Sequence, residues 1–165
     1  MNKQFFYGNF ENKIDAKGRV SIPANFRDLL AKDAGIEITA ENKKVAIPFH
    51  LRPSPTPFAL EICLQEYFTL WDARIQAVDM LDPMYNQLAA SAYAGIVELS
   101  IDGDGRIILP KKERNIIQCT NKVMFIGLGR TFMIMEPVKG QKFHEESMLA
   151  PATISARPNT SAGGG

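Results

Sequence analysis

The stretch Ile14 to Arg27, IDAKGRVSIPANFR, returns 87 residues later as IDGDGRIILPKKER from Ile101 to Arg114. Over the wider window of residues 8–27 against 95–114, eight of twenty positions are identical: Gly8/Gly95, Glu11/Glu98, Ile14/Ile101, Asp15/Asp102, Gly18/Gly105, Arg19/Arg106, Pro23/Pro110 and Arg27/Arg114. Val20/Ile107 and Ile22/Leu109 exchange one branched aliphatic residue for another. Self-similarity of this quality marks an internal repeat, so the chain is read as two copies of one module.

Each copy has the same local physics. A short strand ends at Ile14 or Ile101, a turn follows (Asp15-Ala16-Lys17-Gly18 or Asp102-Gly103-Asp104-Gly105), and a strand begins at Arg19 or Arg106. Asp bonds its own backbone two residues on and Gly accepts positive φ, so both turns predict a tight hairpin. Pro23 or Pro110 then opens a helix. In the first copy Phe26, Leu29 and Leu30 form one apolar stripe that runs until Gly35. In the second, Glu113 replaces Phe26, which predicts a thinner apolar face and different packing.

Working outward, a strand is expected around Val45 to Ile47, then a loop from Pro48 to Pro57 carrying four prolines. Leu60 to Ile62 reads as a strand and corresponds to Phe132 to Ile134, which follows a strand at Val123 to Ile126 and the turn Gly127-Leu128-Gly129. The halves thus share a ββαββ order. Between them Leu64, Phe68, Trp71, Ile75 and Val78 recur at helical spacing, and a second run restarts after Asp82-Pro83, predicting a helical hairpin that serves packing. From Ala150 the chain is mostly Ser, Thr, Pro, Ala and Gly without periodicity and is read as a disordered tail.

With 165 residues and 45% apolar content, the chain can fill a core, which excludes disorder along its whole length. Nineteen Lys and Arg against eighteen Asp and Glu leave +1, a total that argues for no polyanionic partner. Cut at the repeat, the charge is uneven. Residues 1–27 carry five cations and two anions, residues 28–94 five and nine, residues 95–114 four of each, and residues 115–165 five and three. The basic end is therefore the first hairpin, where Lys13, Lys17 and Arg19 gather around one turn and Arg27 lies close in sequence. The planar fork of Arg suits phosphate oxygens or a guanine edge, and Lys adds a mobile point charge. Asp15 and Asp102, with Gly18 and Gly105, are read as shaping the turns. A solvated Asp–Arg pair is the competing reading of the turn alone; the duplicated Arg favours a binding role.

Other chemistries find little footing. Residues 102–113 resemble a calcium loop, but Arg106 and Ile107 occupy positions that need a ligand and a glycine. His144-Glu145-Glu146 lacks the second His of a zinc helix, and the chain holds only two histidines. Gly127-Leu128-Gly129 lacks the third glycine of a dinucleotide fingerprint. Cys63 and Cys119 are read as reduced core thiols. No catalytic constellation, cofactor or metal site is expected. Without a stretch of about 18 apolar residues or a cleavable leader, a soluble, unprocessed protein with no membrane partner is expected.

The two copies, IDAKGRVSIPANFR and IDGDGRIILPKKER, resemble the paired DxxxR motifs of the MraZ family within the AbrB-like swapped-hairpin superfold. FENKIDAKGRVSIPANFR and KVMFIGLGRTFMI resemble further family segments in the expected order. The resemblance implies an α+β fold: tandem AbrB-like swapped-hairpin β-barrel halves forming a pseudo-dimer, with an inserted helical hairpin. On that reading 9–62 is the first DxxxR domain, 63–94 the insert, 95–138 the second DxxxR domain and 150–165 the tail. It implies a cytoplasmic, nucleoid-associated transcriptional regulator that binds repeated promoter sites of the division and cell wall gene cluster, as a homo-oligomeric ring and with no small-molecule substrate. The family's DNA-contacting residues map to Arg19 with Lys17, and to Arg106. Lys13 and Arg27 join them from charge and position. Because Asp104 stands where the first turn has Lys17, Arg106 is expected to contact DNA less than Arg19. The alternative is an antitoxin-like protein-binding module of the same superfold; a third is a purely structural assembly protein.

Overall fold

The computed structural model describes residues 4–149, and the expected tail at 150–165 lies outside them. The elements run β1 (Asn9–Lys13), β2 (Arg19–Ser21), α1 (Ala24–Asp33), β3 (Ile47–Pro53), β4 (Ala59–Cys63), α2 (Gln65–Gln76), α3 (Tyr85–Tyr93), β5 (Val97–Ile101), β6 (Arg106–Ile108), α4 (Lys111–Ile117), β7 (Lys122–Gly127), β8 (Thr131–Met135) and α5 (Pro137–Met148). This is an α+β fold in which ββαββα occurs twice, with α3 as the connection.

The strands pair across the repeat. One sheet has the order β1-β7-β8-β4-β3-β5 and the other holds only β2 and β6, all neighbours antiparallel. Exchanging each strand for its copy (β1 for β5, β2 for β6, β3 for β7, β4 for β8) reverses the six-strand order without changing it. The halves are thus related by an approximate twofold, with β4–β8 and β2–β6 at its centre.

Two expectations are corrected by this pairing. The Asp15 to Gly18 turn closes on a single bridge between Ile14 and Val20, after which β1 pairs with β7 and β2 with β6. What reads as a hairpin is a turn whose arms part to opposite partners. The strands also close no barrel among the described residues: β1 and β5 are open edges of the large sheet, and the β2–β6 ribbon is a separate sheet.

Beneath the ribbon, Val20 and Ile107 are buried with Ile22, Leu109, Leu30, Ile47, Phe125 and Phe132 in one core drawn from both halves. Its aromatic centre is Phe6, Phe26 and Phe132, with ring centroids 4.7–5.2 Å apart. α1 contributes the expected stripe of Phe26, Leu29 and Leu30, and Gly35 ends it at φ +71°. α4 is shorter and buries Glu113 and Ile117 before Gln118 turns left-handed.

Pro48, expected to open a loop, lies inside β3 opposite Ser100. β4 pairs only with Leu51, Arg52 and Pro53, so Pro48 stands where β3 has β5 alone beside it and a missing N–H breaks no second ladder. The helical hairpin is present as α2 and α3, tied by the Tyr93 hydroxyl donating to the Asp72 carboxylate. α5 was not expected. It occupies the place after β8 that α2 occupies after β4, and it covers a second cluster of Ala59, Met124, Ile126, Met133 and Met135 with Phe143.

Candidate nucleic-acid interface

The Asp15 carboxylate organises the first turn. Its Oδ1 accepts from the main-chain N–H of Lys17 (3.0 Å) and of Arg19 (2.9 Å), and its Oδ2 accepts from Arg19 Nε at 2.7 Å. The Gly18 N–H donates to the Asp15 carbonyl at 3.0 Å, with Gly18 at φ +87°. The Arg19 N–H, followed by its guanidinium, holds the Asp15 carboxyl below the ordinary 3.8. The pair is exposed, so its contribution to stability is small. Its effect is to aim Arg19: among the described residues only Nε of that guanidinium is engaged, leaving the outer edge of the fork toward solvent.

The second turn repeats the backbone pattern but aims its arginine differently. Asp102 Oδ1 accepts from the N–H of Asp104 (2.9 Å) and Arg106 (3.0 Å), and the Arg106 N–H is the main cause that lowers the Asp102 pKa. Arg106, however, lies 3.7 Å from Asp102 at Nε and donates from Nη2 to Asp104 at 3.2 Å. Asp104 therefore draws this guanidinium in. Both aspartates bond main-chain amides of their own turns, and they line separate grooves rather than one shared pocket as an acid and base pair would.

The ribbon brings the two arginines together. Arg19 lies opposite Ile108 and Ser21 opposite Arg106, while Val20 and Ile107 point into the core. Alternation therefore places Arg19, Ser21, Arg106 and Ile108 on one outward face, with the arginines on a diagonal about 7–8 Å long between Cα atoms. Beside this face runs a groove lined by Lys13, Asp15, Arg19, Ser21, Arg106, Asn121 and Lys122. Lys13 and Lys122 face each other across β1 and β7. The twofold-related groove holds Glu98, Ser100, Asp102, Arg106 and Ile108. There Ser100 replaces Lys13, and Pro48, the cross-strand partner of Ser100, replaces Lys122. One groove is cationic and its copy is not.

Of the expected contact residues, Lys13, Lys17 and Arg19 are exposed around the first turn and Arg106 is half-buried on the same face. Arg27 is elsewhere. Its Nη2 donates to the Lys43 carbonyl at 3.0 Å and its stem lies against Gly105, so it braces the second turn and the loop before β3. Its repeat partner Arg114 donates from Nη1 to the Ala16 carbonyl at 3.1 Å. Main-chain bonds repeat the crossing, with Leu109 N–H donating to Gly18 O (2.8 Å) and Ile22 N–H to Gly105 O (2.9 Å).

Sequence reasoning missed Lys122, Asn121 and Arg114 as parts of this site. The duplication of Arg27 in Arg114 was the available signal for the last. Lys122 enters only through the β1–β7 register, which no local pattern specifies.

Comparison with known proteins identifies the family. Residues 5–47 and 92–157 match the family described as "MraZ protein, putative antitoxin-like". The "Transcriptional regulator MraZ" of Gluconacetobacter diazotrophicus is 36% identical, over 86% of this chain and 85% of its own. The protein of that name from Gluconobacter oxydans is 35% identical over 93% and 90%, and that from Pelagibacter ubique 32% over 84% and 82%. These relatives are named as regulators rather than as enzymes. A duplicated DxxxR turn, its ββαββα frame and matches across most of the chain agree: the chain belongs to the MraZ family.

Proposed function

We propose that this protein is a sequence-specific DNA-binding transcriptional regulator whose reading head is the outward face of the β2–β6 ribbon. The observation that carries the reading is the gathering of Arg19 and Arg106 on that face beside a groove with Lys13 and Lys122. A two-stranded ribbon fits the major groove, where an Arg fork pairs with a guanine edge while lysines neutralise phosphates. The MraZ name of its relatives supports the regulatory role. In this reading the strand exchange is that of an AbrB-like swapped hairpin, folded from tandem copies into a pseudo-dimer. The DxxxR domains are 9–62 and 95–138, joined through 63–94.

Lys13, Lys17 and Arg19 are the main contacts; Lys122, paired with Glu11 at 3.5 Å, and Arg106, held by Asp104 at 3.2 Å, contribute less. Arg27 acts as a brace. A single ribbon with so few cations binds weakly, and a ring of copies on repeated promoter sites of the division and cell wall gene cluster supplies affinity by avidity. The place of action is the cytoplasm, on the nucleoid. The test is a gel shift with promoter DNA at fixed oligomer size. Arg19→Ala should weaken the promoter shift strongly, leaving residual binding of little sequence preference, while the oligomer is retained; binding equal to the unsubstituted protein would defeat the reading.

A further inference from the structure

We infer that Arg114 is a positioning residue for DNA recognition: the helix of the second motif copy holds the DNA-contacting turn of the first. This rests on the DNA-binding reading above and extends it to a residue outside the groove. Arg114 crosses from α4 to the opposite half and donates from Nη1 to the Ala16 carbonyl at 3.1 Å. Its Nε is buried and lies 3.2 Å from where a Cβ on Gly18 would be, so the guanidinium lies against a bare Cα. The Leu109 N–H fixes the Gly18 carbonyl from the same half. Ala16 and Gly18 flank Lys17, and Gly18 immediately precedes Arg19, so the second half holds the backbone that aims Arg19.

The twofold copy of this contact differs. Arg27 touches Gly105 only through its stem, 3.7 Å from the position of an added Cβ, and its hydrogen bond goes to Lys43 rather than into the turn. Both turns take a main-chain bond from the other half, but the one that also takes a side-chain hydrogen bond is the one that carries Lys17 and an Arg free at its outer edge. Holding a turn before the ligand arrives removes an ordering cost from binding. Arg114 therefore acts through Arg19, without touching DNA.

The experiment is a double-mutant cycle on promoter binding, with hydrogen exchange on the free full-length protein. Arg114→Met should weaken binding about tenfold, the equivalent of one charge-assisted hydrogen bond. In an Arg19→Ala background the same change should add no more than about twofold, because coupled residues are non-additive. The salt slope should stay unchanged, whereas loss of a phosphate contact would flatten it by about 0.9. Exchange of the Lys17 and Arg19 amides should accelerate, and that of the Asp104 and Arg106 amides should not. Arg114→Lys, which keeps a charge and a donor, should recover part of the loss and replaces Met if that variant fails to fold. A full tenfold effect in the Arg19→Ala background, or unchanged exchange at Lys17 and Arg19, overturns the proposal. If Arg19→Ala alone leaves binding intact, the DNA reading fails, and the exchange result still decides whether Arg114 holds the turn.

Discussion

Gly18 and Gly105 occupy the same motif position, yet the structure assigns them different tolerances. A Cβ at Gly18 would sit 2.3 Å from the Leu109 carbonyl oxygen, inside the 3.0 Å that such contacts keep, and the obstacle is backbone of the other half. The Leu109 backbone, just past β6, would have to withdraw by about 0.7 Å. That movement pulls against the Leu109 N–H bond to the Gly18 carbonyl. Left-handed backbone costs a non-glycine residue about 1–2 kcal/mol, and a lost hydrogen bond about 1 kcal/mol. With the displacement added, Gly18→Ala should cost about 3 kcal/mol or more. At Gly105, with φ +78°, the nearest atom to an added Cβ is Arg27 Cδ at 3.7 Å, an ordinary contact. Only the backbone term remains, about 1–2 kcal/mol. Urea unfolding of both variants measures the difference, with an unchanged m-value confirming that the midpoints report stability. Equal destabilisation by the two substitutions would refute the reasoning, because it would mean that the crossing backbone imposes no constraint on the first turn.

The remaining predictions concern charge. Lys122→Ala should weaken DNA binding and flatten its salt slope by about 0.9, whereas Lys111→Ala, on the outer surface of α4, should leave the slope unchanged. Because the folded Asp15 pKa is depressed, its hold on Arg19 is complete above the ordinary value of 3.8 and is lost as pH falls through the lower folded value. Exchange protection of the Arg19 amide, corrected for intrinsic rate, should therefore persist at pH 5 and fall only in more acid solution; loss already near pH 5 would contradict the carboxylate bonding. Arg52 and Glu61 form a buried pair at 3.3 Å on adjacent strands. Glu61→Leu alone should cost about 3–5 kcal/mol in chemical unfolding, and the double substitution Arg52→Met with Glu61→Leu much less. Burial pushes the Cys63 thiol up to about 12, so it should react with iodoacetamide at pH 8 far more slowly in the folded protein than after unfolding in urea.

The repeat, both turns and the helix opened by Pro23 are legible in the sequence because their causes are local: an Asp side chain bonding its own amides, a glycine with positive φ, a proline starting a helix. The partners of the strands are not. Arg19-Val20-Ser21 and Arg106-Ile107-Ile108 are three residues each, and the alternation that buries Val20 and Ile107 is satisfied equally by a neighbour in the same half or in the other. A tight turn favours the hairpin reading, and only the shared core decides against it. Pro48 reads as a breaker because its strand's one-sided pairing at that point is a tertiary fact.

α5 escaped for a different reason. At the positions where α2 carries Phe68, Trp71 and Ile75, α5 has Gly140, Phe143 and Ser147, so its apolar stripe is nearly absent. It packs by closeness instead, with Gly140 against Met124. Its one local signal was the start, where Glu136 accepts from the N–H of Val138 and Lys139 and Pro137 takes the first helical position. At the candidate site, the turn residues were legible and the groove was not: Lys122 and Arg114 reach the first turn only after the halves exchange strands. Arg27 shows the converse, a basic residue near the turn in sequence that the fold turns to bracing.

The central claim is that Arg19, aimed by Asp15 on the exposed ribbon, reads DNA. The measurement that bears on it most directly is binding of promoter and scrambled duplexes across a salt series, for the unsubstituted protein and Arg19→Ala at matched oligomer size. The account predicts a steep fall with salt for both proteins, and a preference for the promoter that Arg19→Ala largely loses. An undiminished preference in Arg19→Ala would contradict it.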